Sequence, residues 1–392
     1  MSENRHSPGD LKQYQSLSIE SKIILTQQRI KAWYEAWTRF EIYDRETGKT
    51  RFVTWDTRDY SEPPMKETEW IESAWPGAVY VSFSGGKDST VLKHIVDSMY
   101  DDVPALFVNT GLEYPEIQRF VREVKSGEYD CFNNDVVILR PEIRFDEVIK
   151  KHGYPVISKE VSDAVHDARI NIPLGKETLR VRQLKGLTEG RFDKRKWLFL
   201  VDAPFDIDDA CCHIMKKRPA KRYNKDTGRK PIIGTMACES QMRLKNWIRQ
   251  GCNAFDANNP SSQPLSFWTE QDVLQYIKMY DVPYCSVYGD IVSEDDDKNC
   301  YDMPKEFIEA FGCLGQIPKL TTTGCDRTGC IFCMFGCHLE KEPNRFQRLK
   351  ETHPRQYEYC IGGGEMVDGK WQPNKEGLGI GHVLDYIGVK YE

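Results

Sequence analysis

The chain has 392 residues, 40% hydrophobic and 29% charged, with a formal net charge of −6. That length and composition predict a soluble protein with a large α/β body and one or two additions, and the negative balance argues against nonspecific nucleic-acid affinity. No apolar run approaches the roughly 18 residues of a membrane-spanning helix and residues 1–9 are polar rather than signal-like, so no membrane partner and a cytoplasmic location are expected; thirteen cysteines then point to metal or redox work rather than disulfides.

Residues 1–16 read as a mobile tail. From Ser18, the apolar positions Ile19, Ile23, Ile30, Trp33 and Trp37 follow mostly helical spacing, predicting a helix over 18–38. Residues 40–55 alternate around Glu46-Thr47-Gly48-Lys49, a hairpin signal. This extension either covers the core or contacts a partner.

The core begins near Trp75-Pro76-Gly77. An apolar run at 79–83 passes through Ser84-Gly85-Gly86-Lys87-Asp88-Ser89 into the helical spacing of Val91, Leu92, Ile95 and Val96, giving strand, tight loop and helix. Gly85 and Gly86 let the backbone approach an anion, the helix N-terminus attracts negative charge, Lys87 adds a cation, and Ser84 and Ser89 add hydroxyls. The Walker spacing is absent. A second strand, polar loop and helix follow at 105–121, with Thr110 and Gly111 in the loop; that is the rhythm of a parallel sheet, whose loops collect ligands at the carboxyl ends of the strands. Residues 135–139 are a third strand, 145–149 a short helix, and 156–160 a short strand ending in Lys159, which meets a phosphate or is solvated. The stretch 170–200 is basic, either a solvated helical face or a nucleic-acid contact surface. The acidic run 293–298 reads as a solvated loop.

The loop at 84–89 resembles the SGGxDS pyrophosphate loop of the N-type ATP pyrophosphatases. Asn109-Thr110-Gly111-Leu112-Glu113-Tyr114-Pro115-Glu116 resembles a segment of their phosphoadenylylsulfate (PAPS) reductase and ATP-sulfurylase branch. Cys211-Cys212 with the basic residues after it, Gly234 to Arg243, and Gln263 to Ile277 resemble further segments of that branch, the last one architectural, with Thr269 and Asp272 forming a capping box. The chain is thereby identified as a PAPS reductase-like member of the adenine nucleotide alpha hydrolase superfamily, with added resemblance to DNA-phosphorothioation sulfur-transfer proteins. The resemblance implies a doubly wound, mostly parallel α/β sheet over residues 76–290, an N-terminal helix and hairpin extension over 1–75, and a C-terminal cysteine-rich metal-binding region over 291–392. It implies ATP or a related adenylyl nucleotide held by Ser84, Gly85, Gly86, Lys87, Asp88, Ser89, Thr110, Gly111, Lys216, Arg218 and Arg243. The resemblance further implies that Lys87 and Asp88 carry the catalysis, with Mg²⁺ on the pyrophosphate.

Cys325, Cys330, Cys333 and Cys337 have the spacing C-x4-C-x2-C-x3-C; crowded thiolates suit an iron–sulfur cluster, or zinc as the alternative. In iron–sulfur adenylylsulfate reductases an adjacent cysteine pair and a distant C-x-x-C hold one [4Fe-4S] cluster together. The metal candidates are therefore Cys211, Cys212, Cys325, Cys330 and Cys333, with Cys337 last; the isolated cysteines read as small core residues.

Three functions follow. The first is ATP-dependent adenylylation of an acceptor with pyrophosphate release, for sulfur transfer to an acceptor such as nucleic acid, with a sulfur donor such as a cysteine desulfurase. The second is reduction of adenylylsulfate or phosphoadenylylsulfate to sulfite, which ranks lower because no E-C-G-x-H nucleophile segment follows Cys337. The third is a non-catalytic nucleotide-binding regulator. An oligomer is compatible with each.

Overall fold

The computed structural model describes residues 5–54, 65–75, 77–293 and 319–392. The acidic residues 294–298, Cys300 and Cys313 lie outside the described residues. The chain divides into two compact units, one of residues 1–107, 115–139 and 222–328, the other of residues 108–114, 140–221 and 329–392. Both are assembled from separated stretches, so the segment 291–392 contributes to each of them.

The first unit is built on a six-stranded sheet in the order Val136–Leu139, Ala105–Val108, Val79–Ser82, Lys230–Ile233, Ser261–Ser262, Asn253–Ala254. Val79–Ser82 pairs parallel with both neighbours, Val81 opposite Ala105 and opposite Ile232; Ser261–Ser262 pairs parallel with Lys230–Ile233 and antiparallel with the edge strand Asn253–Ala254. A strand flanked on both sides in a parallel sheet is covered on both faces, and Val79, Tyr80 and Val81 are accordingly buried. The sheet grows from Val79–Ser82 first one way and then the other, so the order reverses beside that strand. Ligand sites of doubly wound sheets lie at this reversal, beyond the carboxyl end of the strand, where residues 84–89 follow.

The helix Lys87–Asp97 buries Val91, Leu92, Ile95 and Val96, and Pro115–Ser126 buries Ile117, Phe120, Val121 and Val124, one apolar stripe each. The extension forms the helix Ile19–Ala36 and a three-stranded antiparallel sheet in which Arg39–Asp44 lies between Lys49–Thr54 and Glu69–Trp75. Within this unit Lys22 donates to both carboxylate oxygens of Asp272 at 2.7 and 2.8 Å, and the Trp268 indole donates to Thr26 at 2.9 Å. Asp272 also accepts from the Thr269 amide and hydroxyl, the capping box expected at the start of Glu270–Tyr280.

The expected tail is not wholly a tail: Pro8–Gln15 is a helix, started by a reciprocal Ser7 and Asp10 cap and anchored by buried Leu11. One anchor among polar residues is too weak a periodic signal to read from sequence.

The second unit is mainly helical. Phe145–His152, Lys159–Asn171, Arg345–Thr352, Pro354–Ile361 and Ile380–Tyr386 surround one core that contains Val148, Val165, Phe205, Met334, Phe346 and Leu384. The strand expected over 156–160 covers only Val156–Ile157, which pairs parallel with Met334–Phe335; Ser158 then caps the helix that opens with Lys159. Of the isolated cysteines, Cys252, Cys285 and Cys360 are buried, whereas Cys131 and Cys238 are exposed.

Candidate functional site

In the first unit, the loop at 84–89 is held by its own hydroxyls. The Ser84 amide donates to Ser89 Oγ at 3.1 Å, the Ser89 hydroxyl donates to the Gly86 carbonyl at 2.9 Å, and the two serine oxygens lie 3.0 Å apart. Gly85 has φ of +72°, and a Cβ there would come within 2.9 Å of Ile117, so a side chain meets both backbone strain and a clash. The loop therefore packs against the Pro115–Ser126 helix as only glycine can.

Lys87 is buried. Its ammonium lies 2.7 Å from a Glu270 carboxylate oxygen and donates to the Asp326 carbonyl, while its amide donates to the Tyr288 hydroxyl at 3.2 Å. Tyr288 is also 2.6 Å from the Thr328 hydroxyl. Asp88 Oδ1 is buried with no hydrogen-bond partner among the described residues. Burial pushes the Asp88 carboxyl up, against the pull of Lys87 and Arg327. An orphaned carboxylate oxygen among cations is a group missing a partner, and a hard divalent cation or a water on it fits that atom. Beside it, Arg243 and Arg327 both pair with Glu239, which also accepts from the Met236 amide at 2.9 Å.

In the second unit, Thr110 and Gly111 shape a turn. The Thr110 amide and hydroxyl donate to Glu113 at 3.0 and 2.7 Å, holding that buried carboxylate 3.8 Å from the Lys216 ammonium. Lys216 lies on a π-helical turn, His213–Lys217, directly after Cys211 and Cys212; such turns recur at functional positions. Burial opposes the Lys216 charge, but Cys330, Glu113 and Cys212 outweigh it and hold its pKa above the usual lysine value. Arg218 is exposed at the start of the next helix.

Cys211, Cys212, Cys330 and Cys333 line one narrow cleft of about 20 Å³, together with Leu112, Phe145, Met215 and Lys216. The Cys211 thiol stabilises the neighbouring Cys212 thiolate, so Cys212 is shifted down, with Lys159 and Lys216 assisting, and Cys211 up. Burial pushes Cys330 up to about 11 and also raises Cys333, whose carbonyl accepts from Arg345 at 2.8 Å. Ligation by a soft metal offsets such burial by deprotonating the thiols. Among the described residues, no group of three or more His, Cys, Asp or Glu side chains is placed to hold a metal ion. Four cysteine thiols lining one cleft are a soft donor set, the chemistry that suits an iron–sulfur cluster or zinc.

Cys325 does not line this cleft; it belongs to the first unit, where its carbonyl accepts from the Thr322 hydroxyl at 3.2 Å. Cys337 is buried and donates to the Met334 carbonyl at 3.0 Å. Sequence reasoning missed Glu270, Tyr288 and Thr328 around Lys87, and Glu113 beside Lys216. Glu270 follows the Thr269 cap, but nothing in that pattern aims its carboxylate at a lysine 183 positions earlier.

The phosphoadenosine phosphosulfate reductase domain matches residues 78–167 and 192–334. An uncharacterized protein of Methanocaldococcus jannaschii is 36% identical over 283 residues, 72% of this chain and 54% of that protein. Adenosine 5'-phosphosulfate reductases of Bacillus cereus and Bacillus mycoides are 23% and 21% identical over 108 residues, 28% of this chain and 45% of each enzyme. The chain spans about half the length of the curated relatives it matches. Among solved structures, a phosphoadenylyl-sulfate reductase from Candida auris, in a phosphate complex, aligns with a TM-score of 0.30 and 16% identity over 53% of this chain and 75% of that one. No described helix is long and apolar enough to cross a membrane.

Proposed function

Because this chain belongs to the phosphoadenosine phosphosulfate reductase domain family, we propose that it is an ATP-binding iron–sulfur enzyme that adenylylates an acceptor and releases pyrophosphate, in preparation for sulfur transfer. The observation that carries this reading is the complete loop at the sheet's reversal, with buried Lys87 and the unpartnered buried oxygen of Asp88 side by side. Lys87 takes the β,γ-phosphates in place of Glu270, and the loop hydroxyls and Arg243 orient them. An acceptor oxygen attacks the α-phosphorus and the bond to the bridging oxygen breaks. Pyrophosphate leaves with that electron pair, and a sulfur nucleophile then displaces AMP. Mg²⁺ held through Asp88 would neutralise charge developing on the leaving group.

Cys211, Cys212, Cys330 and Cys333 would hold a [4Fe-4S] cluster, which supplies a redox or sulfur-handling centre when bound. Lys159, Lys216 and Arg345 set the charge around those sulfurs, and Leu112, Phe145 and Met215 keep water from them. The acceptor we assign is a nucleic-acid group, with a cysteine desulfurase as donor.

A second reading, thiol-dependent reduction of adenylylsulfate or phosphoadenylylsulfate, is favoured by the four thiols beside a lysine in one cleft. Two assays on anaerobically prepared protein separate the readings: pyrophosphate release from Mg-ATP with oligonucleotide acceptors, and sulfite release from either sulfonucleotide with thioredoxin. Acceptor-dependent pyrophosphate supports adenylylation. Sulfite without pyrophosphate reverses the ranking, and nucleotide binding with neither product contradicts both.

A further inference from the structure

The first unit contains a cavity of about 370 Å³ that none of the loop residues 84–89 lines. One wall comes from the extension, through Arg5, His6, Tyr14 and Arg29; the other comes from the matched domain, through Trp247 and Phe267. The extension therefore builds a chamber that the matched domain lacks by itself.

The aromatic residues form a fixed wall. His6 stacks on Trp247 with ring centroids 4.4 Å apart and planes 11° from parallel, and Tyr14 stands edge-on to Trp247 at 6.2 Å and tilts over Phe267 at 5.6 Å. His6 is itself pinned, its amide donating to the Ile248 carbonyl at 3.0 Å. Gly251 makes room for that ring, since a Cβ there would come within 3.1 Å of His6 Nε2.

The charge in the cavity is positive. Among the described residues, Arg5 has one loose partner, Asp256 at 3.6 Å, with both side chains more than half exposed. The Arg29 guanidinium, half-buried, has no acidic or hydrogen-bond partner among the described residues; its backbone carbonyl accepts from the Asn253 side-chain amide at 2.9 Å. Burial and the two arginines together shift His6 down, against the pull of Asp10. In a chain of net charge −6, a chamber lined by five aromatic rings and one guanidinium without a partner among the described residues suits an anion carrying a flat ring.

We propose that this cavity is a second ligand site, which takes an aromatic or heteroaromatic ring bearing one phosphate or carboxylate, the anion on Arg29 and the ring against Tyr14 and Phe267. Two sources share that chemistry, a nucleoside monophosphate and an aromatic acid. Calorimetric titration of the full chain with uridine 5'-monophosphate and with indole-3-acetate separates them, with uridine and indole as uncharged controls. The expected result is saturable binding of one anion, one per chain, at least about tenfold tighter than its uncharged control, because a hydrogen bond to a charged group is worth that much. Arg29→Gln and Tyr14→Leu each weaken it by about fivefold or more, and excess pyrophosphate does not compete. Should either variant fail to fold, the other variant and the comparison of charged with uncharged ligands on the unaltered protein still decide. Absence of saturable binding, equal affinity for charged and uncharged rings, indifference to both substitutions, or displacement by pyrophosphate overturns the proposal.

Discussion

Replacing Glu270 by glutamine tests most revealingly the proposal that the loop at 84–89 takes a phosphate. Lys87 Nζ lies 2.7 Å from Glu270, with the lysine side chain 5% exposed and the carboxylate 49% exposed. A phosphate arriving at Lys87 has to displace that carboxylate. At an effective dielectric near 20 a close pair of this kind is worth about 4 kcal/mol before screening, but a half-exposed partner reduces the net value to about 1 kcal/mol. Glu270→Gln keeps the shape, removes the competing charge, and so tightens Mg-ATP or pyrophosphate binding by roughly fivefold. The variant also loses a carboxylate from the first turn of Glu270–Tyr280, which lowers stability by about 0.3–1 kcal/mol. Calorimetric titration at low salt reads the first effect and thermal unfolding the second. The gain should shrink at high ionic strength. If Glu270→Gln binds pyrophosphate as weakly as the unaltered protein or more weakly, Glu270 is not holding Lys87 away from phosphate, and the reasoning about the loop fails.

Other outcomes follow from the same geometry. Lys22→Met strands the buried Asp272 carboxylate, whose side chain is 10% exposed, and should lower unfolding free energy by about 3–5 kcal/mol in a denaturant titration; an unchanged midpoint contradicts the packing of the extension on this helix. Asp97, 2.7 Å from buried Lys93, is pushed up to about 6 by burial despite that partner. Its folded pKa exceeds its unfolded one, so its contribution to stability falls as pH rises through that interval, and Asp97→Asn should flatten the decline between about pH 4 and 6; nuclear magnetic resonance titration of the carboxyl checks the midpoint. Cys325→Ser should leave iron content unchanged, whereas Cys330→Ser should abolish it; equal loss in the two would return Cys325 to the metal site.

The loop at 84–89 was legible because its glycines, lysine and hydroxyls are contiguous, and a contiguous stretch carries its own geometry. The parallel pairing of Val79–Ser82 with Ala105–Val108 followed from the repeated strand, loop and helix, whereas the order that sets Lys230–Ile233 on the other side of Val79–Ser82 joins strands about 150 residues apart and has no local signal. The pair Cys211-Cys212 and the distant Cys330 and Cys333 were associated only through family resemblance, and spacing alone also offered Cys325, five residues ahead of Cys330, which the fold assigns to the other unit. Local patterns do not reveal where the chain passes between units. For the same reason the partners of Lys87 were invisible: Glu270, Tyr288 and Asp326 arrive from more than 180 residues away. Lys159 was ambiguous in sequence because its role depends on Ser158 ending a two-residue strand and capping a helix.

The proposed assembly of Cys211, Cys212, Cys330 and Cys333 into one cofactor-holding site is what the function proposed above depends on. It is tested most directly by anaerobic purification, iron and zinc analysis, and absorption and electron paramagnetic resonance spectra of the unaltered protein and of Cys212→Ser. About four irons per chain, a visible cluster absorbance with a paramagnetic signal on redox adjustment, and loss of both in the variant are expected. Stoichiometric zinc with no iron, or iron retained undiminished in Cys212→Ser, would contradict it.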